Sequence, residues 1–238
     1  MSTTVTEAGG RTSAARRDHR RYWRLLLAAA APVAGLTLAV TSALTPYGLG
    51  DDDDSAAVAA IAAHRGAVEA NMWLGVLFVT TLVPGAIAVL WVCRRRNPTL
   101  TAVAGTVVLL GFLSSAGNTN TDLLVLAGLD KGVAPGTLAT LSGAMNGMTV
   151  VSVALLPMLI AITLGRILLG VLLWRARVAP RWMAAALVAA PFVEFVNVTG
   201  GNAQPAIGWA LTGVGFASAT VALLRMRDDE FDLPPLPA

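Results

Sequence analysis

Six stretches of this chain are each apolar for about twenty residues, and that feature decides what it can fold into. A hydrocarbon core about 30 Å thick is crossed by roughly 20 helical residues at about 1.5 Å each. Runs at 25–45, 72–93, 99–117, 148–174, 182–200 and 206–224 reach that length. One soluble core cannot absorb them: 55% of the chain is hydrophobic, 13% is charged and the mean hydropathy is +0.68, against about 25% charged for an average soluble domain. In lipid a chain of this kind satisfies its backbone within helices. The expected architecture is therefore all-α, a polytopic six-transmembrane-helix bundle over residues 25–224. A basic leader, 1–24, precedes it, and a tail from 225 to 238 follows.

The leader contains "RRDHRRYWR" and resembles the start of a secretory signal. The apolar run behind it is too long for a signal's core of about 7–15 residues, so a retained helix is expected, with Tyr22 and Trp23 as an interfacial anchor. The tail "RDDEFDLPPLPA" has no apolar period and reads as disordered, its PPLP included.

Charge fixes an orientation. Placing alternate loops on one side collects Arg11, Arg16, Arg17, Arg20, Arg21, Arg24, Arg94 to Arg96, Arg175, Arg177, Arg181, Arg225 and Arg227, fourteen of the 17 basic residues. The other side keeps Arg65 and Lys131, with Arg166 inside a run. Positive residues mark the cytoplasmic face, so both termini are expected there and the protein is expected in a bacterial inner membrane. The same distribution explains the pI of about 9.7 without nucleic acid as a partner, and the lipid bilayer is the partner it implies.

Two hairpins share a layout. The second and third runs, and the fourth and fifth, each begin near an asparagine (Asn71, Asn146) and descend to an arginine cluster. Each pair then turns through a proline (Pro98, Pro180) and returns to a polar cluster, "SSAGNTNTD" or "VNVTGGN". Such a pattern is compatible with a parallel repeat of the kind seen in some transporters.

Polar residues converge at the outer level. Counting from Arg181, Glu194 is thirteen residues up, about 20 Å into the core, and Asn197 follows on the same face. Asn118, Asn120 and Asp122 close the third run there, Asn146 opens the fourth, and His64 and Glu69 lie on a helix above. Together they form a candidate outward cavity for a small-molecule or ion ligand. For each asparagine, capping a helix near water is the simpler role. Glu194 is different, because ionisable groups inside a membrane are costly and tend to be functional.

Arg166 supplies an alternative. It lies about 13 Å above the inner end of its run and some 6 Å below Glu194, a gap most of which an arginine side chain can cover. Two arrangements satisfy the sequence: a structural pair Arg166–Glu194, or an Arg166 that snorkels inward while Glu194 faces the cavity.

The run Asp51 to Asp54 lacks the alternating spacing and glycine turn of a calcium loop. It reads as a solvated acidic stretch, with Asp54 or Ser55 capping an Ala-rich helix that continues into the second run or kinks at Gly66. The lone Cys93 allows no intrachain disulfide and no CxxC metal site. His19 and His64 fall on opposite sides and cannot jointly hold a metal or haem. There is no HExxH, GxSxG or phosphate loop, so no cofactor is expected and an enzyme acting through His64 or Glu194 is the weakest reading. "GVGFASATVA" and "GRILLG" carry small residues at the spacing of close lipid-phase helix contacts.

The segments "ALTPYGLGDDDDSAAVAAIAAHRG" and "TLGRILLGVLLWRARVAPRWMAAALVAAP" resemble a group of uncharacterised bacterial six-span integral membrane proteins classed as a domain of unknown function. Gly170, Arg175, Pro180, Arg181 and Trp182 carry the match. The resemblance implies the topology and assigns no activity. Two functions follow: a small transporter or ligand-responsive membrane protein with an outward polar cavity, or a non-catalytic structural or regulatory membrane partner.

Overall fold

The computed structural model describes residues 18–48, 53–114, 120–195 and 201–232. Every element among them is helical. Two short helices, α1 (Arg20–Ala30) and α2 (Val33–Leu44), form the first apolar run, followed by α3 (Asp54–Ala63) and the 29-residue α4 (Arg65–Cys93). Next come α5 (Pro98–Ser114), α6 (Thr121–Asp130), α7 (Pro135–Asn146) and α8 (Thr149–Ile160). A π-turn over Ala161–Gly165 joins α8 to α9 (Arg166–Ala176); α10 (Arg181–Phe195), α11 (Ala203–Arg225) and α12 (Asp228–Phe231) complete the chain.

Four continuous helical stretches are long and apolar enough to cross a membrane: Arg20–Leu44, Arg65–Cys93, Thr149–Ala176 and Ala203–Arg225. The described parts of α5 and α10 are 17 and 15 residues, about 26 and 22 Å at the helical rise, short of the ~30 Å core. Both nevertheless pack inside the bundle, α5 against α4, α8 and the π-turn, and α10 against α9 and α11.

Proline shapes the first stretch. Pro32 has no N–H, so the carbonyl of Ala28 loses its helical donor. Thr220 of α11 replaces it, donating Oγ1 to that oxygen at 2.7 Å. At the same interface α2 meets α11 backbone to backbone: a Cβ on Gly35 would lie 2.3 Å from the Gly213 nitrogen. Between apolar helices in lipid, association rests on this close packing rather than on water exclusion.

The segment between the third and fourth apolar runs has no long apolar stretch, yet it folds into α6 and α7. Asn120 caps α6, accepting from the Asp122 and Leu123 amides at 3.0 and 3.4 Å. The helix ends at Gly132, φ 75°, where the Gly132 and Val133 amides reach the Leu129 and Gly128 carbonyls at 3.1 and 3.0 Å, a Schellman closure. Pro135 then opens α7 at a position that needs no amide donor. With α3 these helices form a cap whose core is Val58, Ile61, Val125, Leu138 and Ala139. Val68 of α4 joins it, because α4, about 44 Å long at the helical rise, projects beyond the bundle.

The details differ from the sequence-based expectations in several places. The cap of α3 is Asp53, which accepts from Ser55 and Ala56 at 2.9 and 3.1 Å, rather than Asp54 or Ser55. The break between α3 and α4 falls at His64 (φ −127°, ψ 40°) rather than Gly66. Asp122 lies in the first turn of α6 instead of ending the third run, and Asn146 closes α7 instead of opening the fourth.

The tail, expected to be disordered from 225, is ordered through 232. α12 lies against the arginine-rich end of the bundle with Phe231 buried. Trp91 Nε1 and Arg94 Nη2 both donate to the Phe231 carbonyl, at 3.1 and 2.6 Å, and Arg24 pairs with Asp228 at 3.0 Å. An aromatic anchor and these polar contacts offset the missing apolar period. The remaining tail, 233–238, and the leader through residue 17 lie outside the described residues.

The α2–α11 contact leaves no room for a methyl group. Gly35→Ala should therefore lower stability in thermal unfolding by about 1–3 kcal/mol. At Gly66, where nothing lies within 4 Å, the same change should be neutral or stabilising by about 0.5 kcal/mol.

Candidate functional site

Arg166 is the largest fully buried side chain among the described residues, at 0% exposure. Its position follows from the π-turn, which inserts an extra residue just before it and shifts the register of α9 relative to α8. A guanidinium in such surroundings needs partners for its donors, and three are present. Nε donates to the Ile162 carbonyl, Nη1 to Thr212 Oγ1 at 2.9 Å, and Nη2 to Glu194 Oε2.

Glu194, its side chain 11% exposed, uses its other oxygen as well. Oε1 accepts from Trp209 Nε1 at 3.0 Å. Trp209 lies beneath the guanidinium, its ring centroid 4.5 Å from the Arg166 Cζ, which adds a cation–π contact. Thr212 hands its own proton on to the Gly208 carbonyl at 3.0 Å. Gly208 is what lets α11 come this close: a Cβ there would sit 2.9 Å from the Glu194 Cβ. The network thus ties α9, α10 and α11 through one charge pair, and both Glu194 oxygens are used within it.

A separate cavity of about 740 Å³ opens at the cap end, beside α4. Met72, Trp73, Val76, Phe78 and Val79 of α4 and Met158 of α8 form its apolar walls. Its polar edge is Tyr47, Asn120, Thr121 and Asp122. The Tyr47 hydroxyl lies 2.7 Å from both Asp122 carboxylate oxygens, and Asn120 Nδ2 touches Met72 Sδ at 3.4 Å. Burial pushes the Asp122 carboxyl above its ordinary range, and the Tyr47 hydrogen bond opposes that only in part. The Tyr47 phenol is likewise raised, by burial first and by Asp122 second.

Phe78 belongs to both places. It lines the cavity, and its ring packs edge-on against Trp209 with centroids 5.5 Å apart. One aromatic layer separates the cavity from the buried pair.

Of the residues singled out in the sequence, Asn120 and Asp122 meet at the cavity, and Arg166 and Glu194 meet in the bundle. Glu194 does not line the cavity. His64, Glu69 and Asn146 are exposed and lie apart from it; His64 sits at the end of α3 with Nδ1 3.1 Å from the Ala60 carbonyl. Asn118 and Asn197 lie outside the described residues. Sequence reasoning missed Trp209, Thr212 and Tyr47. For the first two a signal existed, since Trp209 and Thr212 are spaced i, i+3 on one helix face; for Tyr47, 75 residues from Asp122, there was none.

Fold and site define a helical membrane protein organised around a buried arginine–glutamate pair. The chain belongs to the family described as Domain of unknown function (DUF4386), whose model matches residues 24–225. No curated protein and no solved structure matches it.

These contacts make two predictions. Trp209→Phe keeps an aromatic ring and deletes the donor to Glu194, so it should cost about 1.5–3 kcal/mol in thermal unfolding, the range for a hydrogen bond to a charged group. The second concerns Asp122. Its folded value is raised, so its contribution to stability is present below the ordinary carboxylate range and is lost as pH rises through the folded value. The melting temperature of Asp122→Asn relative to the native chain should therefore rise between about pH 4 and pH 7.

Proposed function

We propose that this protein is a six-span membrane protein with both termini in the cytoplasm, and that its cap-end cavity receives a small ligand from outside. The observation that carries the ligand reading is the cavity of about 740 Å³ with Asp122 and Tyr47 on one edge. It has the size and the mostly apolar lining of a ligand site, with a few polar groups to orient the occupant.

The span count is supported by the packing of α5 and α10 among the four long helices. Orientation is supported by charge: the turns before α5 and α10 hold Arg94 to Arg96 and Arg177, and Arg96 Nη1 bonds the Ala176 carbonyl at 2.6 Å, so both turns share one end. The cap at the other end carries Asp53, Asp54, Asp122 and Asp130. A positively charged end on the cytoplasmic side is the arrangement that insertion favours. Whether the ligand is moved or only sensed, the cavity is the same.

The second reading, a non-catalytic structural or regulatory membrane partner, is favoured by the Arg166–Glu194 pair. Both oxygens of Glu194 are occupied within the protein, as in a structural lock.

Cysteine labelling tests the proposal, in a background in which the buried Cys93 is replaced by Ala. Ala59→Cys on the cap should react with a membrane-impermeant maleimide in intact cells, and Thr99→Cys only after permeabilisation; the reverse pattern would overturn the orientation. Thr121→Cys inside the cavity should react with a small water-soluble thiosulfonate, and Met158→Trp should block that reaction. An unreactive Thr121→Cys contradicts an accessible cavity.

A further inference from the structure

The lining of the cavity identifies the kind of molecule it suits. Asp122 is a half-buried carboxylate that, among the described residues, forms no ion pair. Its bonding partner there is Tyr47, a neutral donor. Asp122 also sits in the first turn of α6, where a carboxylate complements the helix dipole, but that role is served equally well by an acid facing water. This one is turned instead against Tyr47, at the edge of a wall made of aromatic rings and thioethers.

An anion would meet the Asp122 carboxylate and no cationic side chain in this lining. A neutral apolar ligand would leave Asp122 further desolvated and unpaired, at a cost. A cation pairs with the carboxylate while its substituents lie against the aromatic lining of Trp73 and Phe78, a setting in which cation–π attraction adds to an ion pair.

The rest of the wall sets the shape of the ligand. Trp73 is 71% exposed and Val76 56% exposed. The cavity therefore opens sideways along α4, on a face whose apolar residues belong against lipid. An occupant whose head lies at Asp122 can leave an apolar tail along Val76, Val79 and Met158.

We propose that the cavity binds an amphiphilic cation, an organic ammonium whose charged head pairs with Asp122 and whose apolar tail lies along α4. This rests on the ligand-binding reading above. Two sources offer that chemistry, a free long-chain amine and the amine headgroup of a membrane lipid.

Equilibrium binding to the purified full chain in a non-ionic detergent separates the possibilities, with dodecylamine as the probe and dodecanol and laurate as matched controls. Dodecylamine should bind saturably. Asp122→Asn should weaken it by at least about tenfold, as expected when one partner of a desolvated charge pair is removed, and Met158→Trp should block it. The two controls should not saturate.

If all three probes saturate, are blocked by Met158→Trp and ignore Asp122→Asn, the cavity binds ligands without selecting a cation, and this inference falls while the ligand-binding reading survives. If none saturates, both fall. Competition by phosphatidylethanolamine, and none by phosphatidylglycerol, assigns the head to a lipid; with no competition from either, the free amine is the source, and the cation site stands in both cases.

Discussion

A guanidinium with no exposure to solvent is the constraint around which this protein is arranged. Isolated in an apolar bundle, Arg166 would be too costly to keep charged. The surrounding helices each concede something to it. The π-turn before α9 sets its register, α11 lacks a side chain at Gly208 so that it can approach α10, and Thr212 and Trp209 face inward rather than toward lipid. Glu194, which in sequence is one acid in an apolar run, then closes the set. Removing any one member leaves a charge or a donor without a partner in a place water does not reach.

The cap obeys different physics. Its core of Val58, Ile61, Val68, Val125 and Leu138 is small, and it is held by local devices: the Asp53 cap, the Schellman closure at Gly132 and a bond from Ser142 to Asp54 at 3.2 Å. Beside it, Asn202 Nδ2 donates to the Thr45 and Tyr47 carbonyls at 2.8 and 2.7 Å, fixing the loop that carries Tyr47. That fixed loop positions the Tyr47 hydroxyl at Asp122. Phe78 then links the two regions, so an occupant of the cavity would press on the ring that packs against Trp209.

How much of this is legible in the sequence depends on distance along the chain. Long apolar runs declare their helices, and helical rise makes depth countable, so counting residues alone brings Arg166 and Glu194 near each other. α6 and α7 are hidden, because ten- and twelve-residue helices with partial apolar faces are stable only when packed on a partner, and that partner, α3, lies far away in sequence. α12 is the extreme case, a four-residue turn held by Trp91, Arg94 and Arg24. The cavity combines all of these, since its polar edge joins a loop after α2 to the first turn of α6.

The central claim is that Arg166 and Glu194 stabilise the fold as a pair. A double-mutant cycle in thermal unfolding measures this directly, using Arg166→Met, Glu194→Gln and the double variant. Each single change should be strongly destabilising, and the double should lose less than their sum by about 3 kcal/mol, because the second change removes the charge that the first left unpaired. Additive losses would mean that the two side chains act independently, and would contradict the account.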